Sequence, residues 1–382
     1  MLGTCSPLRR ASWLGLMLAR AALGCADPSA EGLGTTHFEI IGGELAAAAE
    51  LDHTGAFVAA SLATDTSLLL CAATLIGPQT VVTAKHCVEG IEQVAATGLQ
   101  LAWARGADFG DPDELIRVVA IEEAPHGSEP GALGNGRDVA VLHLDETVEV
   151  NPMKLGQLGG SSVGAKLLTL GYGATEPKPT PSDGLRRIGR ETVVATRGRL
   201  FEAIYGDFET YVEVEVTGQS TDADAIEILA EEPALADVEA LAEAFETTTL
   251  IDGYEAVTKT LQGDTRNCQG DSGGPLASRD EYGQWTSYGV FSGAPRSNQS
   301  QCDFAQVYAT FGAATLAFLE QAKDWCDPCG KVDEAGECSG DRLLRCDGNL
   351  GGRARQLIDI DCSELGATCR VSAAGAECSA MP

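Results

Sequence analysis

From Ile40 to about Asp145 the chain alternates short β-branched or apolar runs with Gly, Pro and Asp turns. Thr80-Val81-Val82-Thr83 and the run Val139 to Leu144 have the length and β-branched content of strands. Another apolar run, Leu167 to Leu170, leads to a Pro-rich turn at Glu176 to Pro181. Many short strands of this kind predict an all-β barrel or sandwich.

The pattern changes twice further on. Residues 221–246 carry nine carboxylates and no basic residue, with Val238, Leu241 and Phe245 at helical spacing and Pro233 suited to a helix start. This segment is expected to be a helical surface insertion with a solvated acidic face. Residues 311–325 are expected to close the domain as an amphipathic helix, with Leu316, Leu319 and Ala322 on one side. Beyond that helix, seven cysteines lie between Cys326 and Cys378 among Gly, Asp and Ser. That composition predicts a small disulfide-stapled module over residues 325–382. An odd number leaves one cysteine without a partner inside the module, and Cys326 is either free or joined to another segment.

Composition narrows the classes. A formal charge of -30, from 56 acidic and 26 basic residues, repels phosphate backbones and excludes nucleic acid as the expected partner. The thirteen cysteines lack a paired C-x-x-C framework with zinc spacing, so neither a metal nor another cofactor is expected and an oxidising compartment is. At the N-terminus Arg9 and Arg10 precede an apolar stretch from Ala11 to Gly24, the layout of a signal peptide over residues 1–26. Ala22-Leu23-Gly24-Cys25 has the form of a lipoprotein cleavage box with Cys25 as the acylated residue; ordinary cleavage near Ala26 is the alternative. Either predicts a secreted or cell-envelope protein, anchored at most by lipid. Residues 27–39 are polar and without period, as in a propeptide. No later segment approaches the roughly 20 apolar residues of a membrane helix.

Candidate chemistry is concentrated in three places. Thr83-Ala84-Lys85-His86-Cys87 sets a histidine directly after an apolar strand. Cys71, expected at the start of the preceding strand, is placed to bridge Cys87 and pin that imidazole. Arg137-Asp138-Val139-Ala140-Val141-Leu142 sets an acid at the head of a buried strand, and Gly270-Asp271-Ser272-Gly273-Gly274-Pro275 sets a serine in a Gly-rich turn. A serine hydroxyl attacks a carbonyl only when a base takes its proton; a neutral imidazole does so when a buried carboxylate fixes its tautomer. The N–H groups of Gly270 and Ser272 are candidates for the oxyanion site. His37, His53, His126 and His143 have no such context and are expected at the surface or in packing.

Together these motifs, in the order His, Asp, Ser, resemble the chymotrypsin/trypsin family of serine proteases from Ile40 to about Asp324. The resemblance implies two six-stranded antiparallel β-barrels with the triad His86, Asp138 and Ser272 in the cleft between them. It implies a Cys268–Cys302 bridge and a hydrogen bond from Ser292 to the catalytic aspartate. It also implies a mature N-terminus at Ile40, freed by cleavage after Glu39, whose amine pairs with Asp271. Arg266, six residues before Ser272, takes the position at the base of the primary pocket, with Gln306 from the segment forming its far wall. An arginine there implies a preference for Glu or Asp before the scissile bond. Glu39 at the cleavage point then implies self-activation. The expected partners are protein or peptide substrates. The competing readings are a non-catalytic scaffold of the same fold and an esterase using the same triad.

Overall fold

A computed structural model describes residues 40–380 apart from 62–65, 90, 92–93, 95–98, 126–136, 176–181, 213–237, 262–263, 295–304, 331, 348–354 and 373–374. The first barrel is built from β1 (Thr54–Ser61), β2 (Thr66–Gly77), β3 (Thr80–Thr83), β4 (Gln100–Arg105), β5 (Glu114–Glu123) and β6 (Ala140–Leu144). Its strands pair in the order β1-β2-β3-β6-β5-β4 and close back on β1. Strand alternation decides what each face carries. Phe57, Leu75, Val81, Trp103 and Leu142 fill one core cluster. The neighbouring positions Ala56, Val58, Ala60, Ala72, Ala102 and Ala104 form another, packed on Tyr172. Alanine on this second face allows the close approach of the chain that carries Tyr172.

The second barrel comprises β7 (Lys166–Gly171), β8 (Arg187–Ala195), β9 (Glu255–Lys259), β10 (Pro275–Arg279), β11 (Trp285–Gly293) and β12 (Ala305–Thr310). It runs β8-β9-β12-β11-β10-β7 and closes through β7–β8. The expected pair of six-stranded antiparallel barrels is therefore present. This barrel buries polar side chains as well as apolar ones: Thr169, Glu191, Thr258, Asn267 and Gln306 are all fully buried. The Thr258 hydroxyl donates to Glu191, the Asn267 amide donates to the Tyr308 hydroxyl, and Thr169 donates to Asn267 Oδ1 at 3.1 Å.

Among the helices of this region are α1 (Leu200–Tyr205), α2 (Val238–Thr247) and α3 (Ala313–Ala322). Phe245 of α2 is buried with Leu200, Ile204, Tyr205 and Tyr211, so the end of the acidic insertion is anchored by an aromatic cluster. Pro233 and most of that insertion lie outside the described residues. Leu319 and Ala322 of α3 pack with Val82, Val141 and Phe311, while Leu316 is partly buried beside them.

The cysteine-rich tail forms a three-stranded sheet, β13 (Glu337–Ser339), β14 (Arg342–Asp347) and β15 (Gln356–Asp361), and a hairpin, β16 (Ala367–Ser372) with β17 (Gly375–Ala380). Three bridges hold it, Cys329–Cys346, Cys338–Cys369 and Cys362–Cys378. Few apolar residues are buried here, among them Leu343, Cys362 and Ala367, so the crosslinks stand in for a larger core. Cys326 is disulfide-bonded as well, to none of those six, which places it among the two outcomes expected for it in the joined class. No helix among the described residues is long and apolar enough to cross a membrane.

Candidate active site

His86 sits in a one-turn 3-10 helix, Lys85–Cys87, that begins two residues after β3 ends. The predicted Cys71–Cys87 bridge is formed and ties this turn to β2. Cys71 lies in the middle of β2 rather than at its start, because the strand extends back to Thr66. Asp138 precedes β6, and its carboxylate is almost completely buried. It accepts from the backbone N–H of His86 at 2.9 Å and pairs with His86 Nδ1 at 2.8 Å. The Ser292 hydroxyl, from β11 of the other barrel, donates to the same carboxylate. The aspartate is thus gripped from both barrels, which fixes the imidazole plane and leaves Nε2 for proton transfer.

The electrostatics follow from these contacts. Burial alone would push the Asp138 carboxyl up, but the hydrogen bond and charge of His86 and the Ser292 hydroxyl hold it below the usual carboxylate range. Burial alone would lower His86, yet the hydrogen bond and charge of Asp138, with Glu89 nearby, raise it above the ordinary imidazole value of 6.5. Such an imidazole is a stronger proton acceptor than a free one.

Ser272 lines the same cleft as His86, a space of about 460 Å³ also walled by Leu69, Cys268, Gln269, Phe291 and Gly293. Gly270 and Gly273 flank the turn at φ +98° and +79°, in the left-handed region. Gly273 also packs where a Cβ would collide with the Thr83 hydroxyl and the Ala72 carbonyl of the first barrel. The Ser272 carbonyl accepts from Ala72 N–H at 2.8 Å, so the backbone of Ser272 is stitched to the opposite barrel. Asp271 and Gly273 commit their N–H groups to Cys268 O and Phe291 O, whereas those of Gly270 and Ser272 make no backbone hydrogen bond among the described residues. Two uncommitted N–H groups beside a nucleophile are the makings of an oxyanion site. Ser272 makes no hydrogen bond to His86 here; Nε2 faces the Cys87 sulfur at 3.8 Å. Catalytic contacts of this kind commonly tighten only when substrate is bound.

The remaining predicted residues are placed as follows. Asp271 is fully buried and accepts from the N–H groups of Cys268 and Gly173, both at 2.8 Å. Burial pushes its carboxyl up to about 6 against those hydrogen bonds and the charge of Arg187. Ile40 is buried, with a φ of +39° that no other non-glycine residue described shares in sign. Arg266 is half-buried and its main chain bridges Ile41. Gln306 is fully buried on β12 opposite Thr258, with neither amide atom hydrogen-bonded. Neither Arg266 nor Gln306 is among the described residues that wall the cleft around Ser272. Cys268 is disulfide-bonded. Cys302 and Glu39 lie outside the described residues, as do Cys25, His37 and His126. His53 and His143 are buried packing residues, against Trp285 and Trp325 respectively.

Sequence reasoning missed the apolar wall, Leu69 and Phe291, and the buried acid Glu191. The run Leu68-Leu69-Leu70 before Cys71 is a visible signal for the first of these; nothing local distinguishes Glu191. A family model described as Trypsin matches residues 40–222. No curated protein matches the chain.

Proposed function

Since the chain belongs to the chymotrypsin/trypsin-like family of serine proteases, we propose that it is an exported endopeptidase that works through an acyl-enzyme on Ser272. The observation that carries this reading is the 2.8 Å pair between His86 Nδ1 and the buried Asp138 carboxylate, in the cleft that Ser272 lines. His86 takes the Ser272 proton through Nε2 as the hydroxyl attacks the peptide carbonyl. The N–H groups of Gly270 and Ser272 receive the oxyanion. The imidazolium then gives its proton to the leaving amine, and water repeats the sequence on the acyl-enzyme. Export is supported by the apolar N-terminal stretch and by the four bridges seen, Cys71–Cys87 and the three of the tail.

For specificity we propose Glu or Asp before the scissile bond. The support is the place of Arg266 in the sequence, six residues before Ser272 at the position the family resemblance gives to the base of the primary pocket, although Arg266 is not among the described residues that wall the cleft. A guanidinium pairs bidentately with a carboxylate and repels cationic side chains. Glu39 before Ile40 fits such a preference, so the same enzyme would process its own precursor.

Peptides with Glu, Lys or Leu before the cleaved bond test the reading, alongside labelling by a serine-directed phosphonate. Wild type cut before Ile40 should take the label on Ser272 and favour the Glu peptide. Ser272→Ala should take no label and lose on the order of 10⁶ in turnover with its melting temperature unchanged. A properly cut protein that neither labels nor hydrolyses any peptide is a scaffold; one that prefers Lys or Leu refutes the acidic preference alone.

A further inference from the structure

We propose that Arg187 is a positioning residue for the catalytic turn: its buried guanidinium supplies the positive charge facing Asp271 while Ile40 is still joined to Glu39. The uncut chain would then hold its oxyanion site already formed and possess activity of its own. This inference rests on the peptidase reading above and identifies how that site is regulated.

The Asp271 carboxylate organises the turn. By accepting from Cys268 N–H and Gly173 N–H, it fixes the stretch that presents Gly270 and Ser272. An ionised carboxylate without solvent demands a counter-charge. In the continuous chain the Ile40 nitrogen is a peptide nitrogen and carries none, although the Ile40 side chain is already buried.

Arg187 is placed to answer that demand. It lies on β8 directly across the ladder from Gly171 of β7. Gly171 in turn packs so closely on Asp271 that a Cβ there would collide with the carboxylate. Arg187 is itself 4% exposed. Its guanidinium donates to the Asp183 carboxylate at 2.7 and 2.8 Å and to the Leu185 carbonyl at 2.8 Å, which holds the side chain in place. The Asp183 side chain is 39% exposed, so water screens much of its charge, whereas Asp271 faces Arg187 through protein. The coupling acts in both directions: burial lowers Arg187 while Asp271 raises it, and Arg187 favours the ionised form of Asp271.

Residues 35–39 replaced by Asp-Asp-Asp-Asp-Lys make a full-length chain that enteropeptidase cuts before Ile40 and that is otherwise intact. Steady-state rates on a small peptide ester are measured before and after the cut for Arg187, Arg187→Gln and Arg187→Lys, with mass spectrometry confirming the state of the junction. The uncut Arg187 protein should hydrolyse the ester, Arg187→Gln should lose at least tenfold in kcat before the cut, and Arg187→Lys should retain most of it. After the cut the Ile40 amine is present, and Arg187→Gln should lose less than about threefold. Equal losses before and after the cut would mean Arg187 only supports the fold, and an uncut chain with no activity in any variant would also overturn the proposal. Both outcomes leave the peptidase reading standing, because that reading fails only if the cut wild type is inert.

Discussion

The two barrels have the same strand number and closure but are filled with different matter. The first is packed with hydrocarbon around Trp103, Phe57, Leu75 and Leu142. The second threads a hydrogen-bonded polar chain, Glu191, Thr258, Tyr308, Asn267 and Thr169, through its buried interior. The difference follows the division of labour at the site. His86 and Asp138 enter from the first barrel as two side chains whose mutual geometry has only to be rigid. The second barrel supplies Ser272, its flanking N–H donors and the Asp271 anchor, all on backbone that needs buried polar partners. Rigidity comes from close-packed apolar matter, whereas a dense set of buried polar groups brings sensitivity to protonation.

The largest effect expected from breaking this division is at the join between the barrels. Asp138→Asn should lower kcat about 10⁴-fold by misplacing the imidazole tautomer, with little change in melting temperature. It should also move the acid limb of kcat/KM. In wild type His86 titrates above its ordinary value because of Asp138, and only the neutral form accepts a proton, so activity rises with pH through a midpoint above about 6.5. Without the carboxylate that midpoint should fall, and a limb that stays in place would mean another group controls it.

Truncating the first core should cost stability alone. Phe57→Ala is expected to destabilise by about 3–5 kcal/mol, at all pH values alike, in urea unfolding. A pH-dependent loss would contradict the picture of a purely apolar filling.

The second barrel should behave otherwise. Burial raises the Glu191 carboxyl from 4.5 to about 8. A carboxyl raised in the fold favours the native state fully below its unfolded value, and that contribution is lost as pH rises from about 4.5 through about 8. Glu191→Gln cannot ionise, so its stability relative to wild type should climb across that window by on the order of 5 kcal/mol, or roughly ten degrees of melting temperature. Parallel stability curves for the two proteins would show that Glu191 is ionised in the fold.

These contrasts also mark what was legible in the sequence. Thr80–Thr83 was predicted as a strand to the residue, because four β-branched residues between turns leave little alternative. The His86, Asp138 and Ser272 motifs were legible because each is local: a strand end with a cysteine, a strand head, a Gly-rich turn. Glu191 was not, since Arg-Glu-Thr in β8 has the pattern of a solvated face and only closure of the second barrel buries it. Arg186 escaped for the same reason. It is fully buried and clamps the carbonyls of Ala46 and Thr54 and the Asp52 carboxylate, residues more than 130 positions earlier. Partners that distant leave no local signature.

The buried Ile40 bears on the chemistry of the junction itself. The +39° torsion at Ile40 is unfavourable for a β-branched residue by about 1–2 kcal/mol. It is defined by the carbonyl carbon of Glu39, so hydrolysis of that peptide bond abolishes the torsion instead of relaxing it. Re-forming the bond on a docked Ile40 would have to restore the strain, which tilts the equilibrium towards the cut chain by roughly a further tenfold. The junction would act as a ratchet, biased towards the cut chain by an Ile40 whose side chain is buried before the bond is broken.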